Sequence, residues 1–285
     1  MKQHQPIQVN PQTVSTLGQW LDHPEGVAIG TDGAVYAGGE AGQLYRFNAD
    51  RSVHEMANTG GFVLGLALDA NANIHACDLR RRAVLRIAPD GKIAERSRGT
   101  NDMPFTCPNW PAFDAAGNLY VSDSGDFWSQ AGSSRIFVIR PDDTTELFHA
   151  GPLHFANGMA IDPTDQWLYV VESTAARIVR VALHEPNGPI EVTHQLPENT
   201  VPDGIAFTHD SRIVIACYRP DMLYMGHPGG SVEILAQDHT GQLLRRPTNV
   251  AVAHNKLIVA NLGGHHLTEI ECDVRPRMLH RPQLG

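Results

Sequence analysis

Short apolar runs recur along the whole chain, each entered through the same few residues. "PEGVAI" begins at Pro24, "VLGLAL" at Val63, "CPNWPAF" at Cys107, "ANGMAI" at Ala156, "PDGIAF" at Pro202 and "PTNVAV" at Pro247. Alignment puts Glu25, Leu64, Asn109, Asn157, Asp203 and Asn249 in one column, spaced 39, 45, 48, 46 and 46 residues apart. A polar turn follows each run, as in "DANAN", "DAAGN" and "DPTDQ". A second apolar run comes next ("VYAGG", "IHACD", "LYVSD", "LYVVE", "IVIAC", "LIVAN"), then a third such as "QLYRF" or "RIVRV". Short strands bounded by Asp, Asn and Gly turns describe an all-β array. A repeat in the forties with about four strands per unit describes a propeller. No helical periodicity is sustained.

The pattern predicts a six-bladed β-propeller. The last unit lacks a fourth strand, and "QTVSTLGQW", about residues 12–20, precedes the first anchor and supplies it. Pairing the two ends closes the ring and leaves no open edge. The tail, about residues 273–285, is expected to be irregular and outside the blades. No linker rich in Gly, Ser or Pro divides the chain, so one domain over residues 1–285 is expected.

Charge narrows the function classes. A formal net charge of −9 with no basic stripe argues against a nucleic-acid partner. No apolar run is long enough to span a membrane. The N-terminal "MKQHQPIQVN" has no secretory apolar core, and Cys77, Cys107, Cys217 and Cys272 have no zinc-like spacing. Free thiols and a cytoplasmic location are therefore expected, with a small molecule as the partner. The 15 histidines scatter, and the adjacent pair His265-His266 would point to opposite faces of a strand. GxSxG, GxGxxG and P-loop motifs are absent, so nucleotide cofactors are not indicated.

The aligned column carries the chemistry. In a propeller the first strand of each blade lines the central channel, so residues at its start form a ring about the axis. Five of the six are oxygen-bearing and two are acids. Crowded carboxylates repel, so one is protonated or a cation sits between them. An all-oxygen donor set suits Ca²⁺, Mg²⁺ or Mn²⁺. Asp or Asn before Gly is also a turn former, and Pro202-Asp203-Gly204 taken alone reads as turn chemistry. Coincidence across blades favours the ring, as does Glu25, a poor turn former. Residues ending the second strands would face the same side: Glu40, Asp78, Asp123, Asp126, Glu172, Tyr218, Arg219, Asn261 and His265.

"PEGV", "FANGMAID" and "PDGIAF", in that order and at blade spacing, resemble motifs of the SMP-30/gluconolactonase (regucalcin-like) family of six-bladed propellers. The resemblance runs from about Gln12 to about Glu271. It implies one divalent metal ion held by Glu25, Asn157 and Asp203, with calcium foremost and Mg, Mn, Zn or Fe as alternatives. It also implies lactone hydrolysis, with Asp203 as general base and Asn109 contacting substrate or water. Cys107 and Trp110 stand where many sugar lactonases of the family carry an arginine and an acid. Asp126 lies near the family's substrate-binding glutamate, with Phe127 and Trp128 beside it. An aromatic-lined mouth suits a less sugar-like substrate, touched by Asn109, Trp110, Asp126, Tyr218 and His265. Two alternatives stand: a non-catalytic propeller binding a small ligand or peptide, and a phosphotriesterase-like metal hydrolase.

Overall fold

The computed structural model describes residues 5–126 and 133–284. Six small antiparallel sheets stand in a ring, each wound outwards from the axis. Blade 1 is Val27–Ile29, Val35–Gly38, Gln43–Phe47 and Val53–Asn58; blade 2 is Val63–Leu68, Ile74–Asp78, Ala83–Ile87 and Ile93–Ser97. Blade 3 is Pro108–Phe113, Leu119–Asp123, Ser134–Ile139 and Thr145–Leu153; blade 4 is Ala156–Ile161, Trp167–Glu172, Arg177–Ala182 and Glu191–Gln195. Blade 5 is Val201–Phe207, Ile213–Arg219, Met222–Gly226 and Val232–Gln237. Blade 6 takes Pro247–Ala253, Lys256–Asn261 and Leu267–Glu271 from the C-terminal end. Its fourth strand is Val14–Leu17, paired antiparallel from Val14–Ile270 to Leu17–Leu267. The ring thus closes by pairing the two ends of the chain.

The sequence does not announce a further strand, Ile7–Gln8, which adds parallel to the outer edge of blade 5. The tail has one isolated bridge, Thr208–Pro276. It crosses the underside of the ring, from His209 through Asp162 to Ile29 and Asn71. Leu284 at its end is buried among Phe113, Leu119 and Phe137 of blade 3.

Local chemistry accounts for the strands. The second strands are covered on both faces by their neighbours; Ile74–Asp78 and Leu119–Asp123 are buried at every position, polar ones included. The lower turns are organised by aspartates. Asp69 accepts from the backbone of Asn71 and Asn73, and Asp114 from Ala116 and Asn118, each at 2.9 Å. Such bonds hold a turn without help from the core. Apolar clusters fill the spaces between blades, with Phe47, Phe105 and Phe137 among the largest fully buried side chains. Burying one such side chain contributes about 1.5–3 kcal/mol, so the scaffold under the loops is rigid.

Candidate functional site

The six aligned residues stand at the upper ends of the inner strands, and their setting is a bulge rather than a turn. In blades 2, 4, 5 and 6 two residues face one on the second strand: Leu64-Gly65, Asn157-Gly158, Asp203-Gly204 and Thr248-Asn249. In blade 3 Asn109 breaks the register alone. A bulge bends its strand and re-aims a side chain, here at the axis. Pro202-Asp203-Gly204 therefore lies inside the strand Val201–Phe207, which corrects its reading as a turn. The glycine answers to space. A Cβ on Gly204 would sit 1.9 Å from Asn249 Oδ1, and one on Gly26 2.0 Å from the Leu64 carbonyl oxygen. Inner strands approach this closely only where a side chain is missing.

Each asparagine of the ring is held by its nitrogen. Asn109 Nδ2 donates to Ser124 Oγ at 2.9 Å, Asn157 Nδ2 to Ser173 Oγ at 3.2 Å, and Asn249 Nδ2 to the Glu25 backbone oxygen at 3.1 Å. The amide oxygens are left facing inwards. Among the described residues six buried side-chain polar atoms have no hydrogen-bond partner. Five belong to this ring: Glu25 Oε2, Asn109 Oδ1, Asn157 Oδ1, Asp203 Oδ1 and Asn249 Oδ1. The sixth is Gln43 Oε1. Buried polar atoms without partners are rare and costly, so five acceptors in one ring is a coherent feature. Leu64 interrupts it on the blade 2 side.

The two acids share this environment. Burial pushes the Asp203 carboxyl up to about 8. Burial likewise holds the Glu25 carboxyl well above its usual range, and the facing charge of Asp203 adds to the effect. All five partnerless atoms are hard acceptors, two from carboxyl groups and three from amides, so the residues fit a hard divalent cation. Among the described residues no three His, Cys, Asp or Glu side chains gather as a metal cluster, and amides supply the ring's remaining donors.

Several rim candidates turn out to brace loops. Asp78 accepts from Phe62 N (3.1 Å), Asp123 from Cys107 N (2.7 Å), Glu172 from His154 N (2.7 Å) and Asn261 from Arg245 N (3.0 Å). Each acceptor ends a second strand, and each donor lies just before a ring residue. These bonds satisfy N–H groups of loops that are only partly open to solvent.

The remaining candidates disperse. Tyr218 is half-buried at the rim; its hydroxyl accepts from Arg246 Nη1 at 3.0 Å, and that guanidinium stacks on its ring. His265 is exposed, bonded to the Leu21 carbonyl oxygen at 2.9 Å and edge-on to His23. Asp126 is exposed, while Phe127 and Trp128 lie outside the described residues. Trp110 is buried with Ile136, Val138 and Met159, below the ring and away from the mouth. Cys107 is no ready nucleophile, since burial pushes its thiol up to about 12. All four cysteines are free, and among the described residues no helix is long and apolar enough to cross a membrane. The contacts of His23 with His265 and of Arg246 with Tyr218 are not visible in the sequence because these partners lie far apart along the chain.

A family model described as SMP-30/Gluconolactonase/LRE-like region matches residues 97–259, and a strictosidine synthase-like N-terminal model matches residues 16–47. The lactonase drp35 of Staphylococcus aureus is 25% identical over 166 residues, 54% of this chain and 51% of its own length. The chain spans about half the length of the curated relatives it matches. A gluconolactonase from Xanthomonas campestris superposes with a TM-score of 0.78 at 17% identity, covering 90% of this chain and 89% of its own. The calcium-binding regucalcin of Agrobacterium tumefaciens gives 0.77 at 15% identity, covering 99% of both chains. At such identities the structural likeness speaks for the fold alone.

Proposed function

The chain belongs to the SMP-30/gluconolactonase/LRE-like family, and on that premise we propose that it hydrolyses a lactone or related cyclic ester with one divalent cation in the ring. The observation that carries this reading is the set of five buried, partnerless oxygens around one axis. Glu25, Asn157 and Asp203 would hold the ion, with Asn109 and Asn249 turned towards it. Calcium is the first choice for an all-oxygen set. When bound, the cation supplies Lewis-acid polarisation of the ester carbonyl and offsets negative charge developing on its oxygen.

The chain's own residues do the rest. Asp203 accepts a proton from the attacking water as the water oxygen bonds to the carbonyl carbon. Breaking the ring C–O bond frees an alkoxide, which takes that proton back, and the product is a hydroxy acid. Alone, a carboxyl at about 8 keeps its proton at neutral pH, so positive charge in the ring is what makes the base form available. Asn109, anchored by Ser124, orients the water or the carbonyl. Tyr218 and His265 stand at the rim, where substrate would enter.

The test uses metal-stripped protein titrated calorimetrically with Ca²⁺, Mg²⁺, Mn²⁺, Zn²⁺ and, anaerobically, Fe²⁺, followed by a lactone and ester screen with the best metal. One-to-one binding lost in the Glu25→Gln/Asp203→Asn double variant is the expected result. No binding by the wild-type chain would sink the mechanism and leave a ligand-binding propeller in its place.

A further inference from the structure

A large cavity lies beneath the oxygen ring, on the side away from the rim loops. It occupies about 960 Å³ around the axis and reaches the underside. Its hollowness has a sequence cause. Three residues after each of the first five ring positions stands an alanine, Ala28, Ala67, Ala112, Ala160 and Ala206, and two after Asn249 stands Ala251. All six line the cavity. In blades 2 to 5 the alanine is partly exposed between two buried neighbours, so it is the residue turned to the axis. A longer side chain at these positions would fill the channel. Below the ring each inner strand continues for about three residues, roughly 10 Å of depth at the usual rise.

The floor is made by the tail. Arg277 and His280 both bond Asp165 of blade 4, at 2.6 and 2.7 Å, and Arg281 Nη2 donates to the Ile29 carbonyl oxygen of blade 1. Between these fastenings Met278 and Leu279 line the cavity while standing 89% and 66% exposed. They are two of five large apolar side chains exposed among the described residues, and they are adjacent. Clustered apolar exposure at the lip of an apolar channel marks a binding surface more than a solvent-facing one.

The charges on the wall choose the ligand. Arg51, Lys256, Arg277 and Arg281 line the cavity, against one acid, Glu269. Glu269 bonds Arg51 at 2.7 Å and Lys256 at 3.0 Å, and Asp165 serves Arg277. Among the described residues Arg281 is the lining cation with no carboxylate at ion-pair distance, Asp32 acting on it only through space; half-buried, it spends one N–H on the Ile29 carbonyl. A guanidinium offers five donors in a planar fork matched to a carboxylate.

We propose that this underside channel binds a linear aliphatic carboxylate, with the chain among the six alanines and the headgroup on Arg281. The site is separate from the oxygen ring, and the proposal stands or falls independently of the hydrolase reading. A cavity of this volume falls in the ordinary range of small-molecule pockets. The apolar walls account for the chain, Arg281 for the charge, and Met278 with Leu279 for the cover.

The experiment titrates the full chain with octanoate and, separately, with 1-octanol, in the presence of a chelator so that no cation in the ring competes for the carboxylate. Octanoate is expected to bind one-to-one and at least about tenfold more tightly than the alcohol, a difference of about 1.4 kcal/mol. Arg281→Gln should erase that difference, and Ala206→Phe should weaken both ligands by blocking the channel. Equal affinities for the two ligands in the wild-type chain would overturn the proposal, as would no binding of octanoate up to its solubility. Should Ala206→Phe fail to fold by circular dichroism, the wild-type comparison and Arg281→Gln still decide.

Discussion

Across the seam between the last blade and the first, Asn249 Nδ2 donates to the backbone oxygen of Glu25 at 3.1 Å, and Thr248 Oγ1 donates to the same oxygen at 2.7 Å. The pair fixes two things together: the entry of the strand behind Glu25, and the face of the Asn249 amide. With its nitrogen occupied, the amide presents its oxygen to the axis. Asn249→Ala removes one donor and one of the five oxygens, while Thr248 still serves the carbonyl. Urea unfolding of the metal-free variant should show a loss of about 1 kcal/mol, and calorimetry a weaker affinity for Ca²⁺. An unchanged Ca²⁺ affinity would exclude Asn249 from the donor set.

Gly204 is the tightest point of the ring, with Asn249 Oδ1 1.9 Å from where its Cβ would be. Gly204→Ala must therefore push blades 5 and 6 apart or turn the Asn249 amide away. Overpacking of this kind costs about 1–3 kcal/mol, and the displaced oxygen should weaken the cation site in the same protein. Thermal unfolding and Ca²⁺ titration of one variant read both effects. A variant as stable as wild type with full metal affinity would show that the inner strands can part without strain.

The repeat made the propeller legible. Six entries at nearly constant spacing locate the inner strands, and the missing fourth strand of the last unit foretells the pairing of Val14–Leu17 with Leu267–Glu271. The site was legible as a column of residue types. Its local geometry was not, because Asp203-Gly204 has the same spelling in a tight turn and in a bulge pressed against a neighbouring strand. Asp78, Asp123 and Glu172 look like rim acids along the sequence. Only the fold reveals the loop N–H groups that occupy them, since those donors lie 16 to 18 residues away. Ile7–Gln8 escaped because a two-residue parallel strand has no periodicity to detect. The alanine of each inner strand was visible in every repeat, yet its meaning depends on which side of the strand faces the axis.

Asp238 should govern part of the acid stability. Its carboxylate accepts from the backbone N–H groups of Thr240, Gly241, Gln242, Leu243 and Leu244 and from the Thr240 hydroxyl. Burial pushes the group up, but these donors outweigh it and hold it at about 2. The folded state thus keeps this acid ionised where the unfolded chain protonates it. The stabilisation is complete above the ordinary value of 3.8 and is lost as pH falls from there to about 2. It amounts to about 2 kcal/mol. Asp238→Asn should be less stable than wild type at pH 6 by urea unfolding, and the gap should narrow below pH 4. A gap that stays constant down to pH 2.5 would mean that the carboxylate's charge contributes nothing.

The ring acids act in the opposite sense. Asp203 is raised to about 8, and Glu25 is raised as well, both foremost by burial. Without metal, the folded chain holds protons that the unfolded chain has released, from about pH 4 up to about pH 8. Metal-free stability should therefore fall as pH rises through that window, with Glu25 contributing in the same direction. A cation entering the ring must displace those protons, so its affinity should strengthen from pH 6 to pH 8, and binding should release protons. Calorimetry of Ca²⁺ binding in buffers of different ionisation enthalpy counts them directly. Asp203→Asn should release fewer protons, bind more weakly and show a flatter pH dependence. Binding that releases no proton at pH 6.5 would mean that both carboxyls are already ionised in the empty ring, and the partnerless oxygens would then need another source of positive charge.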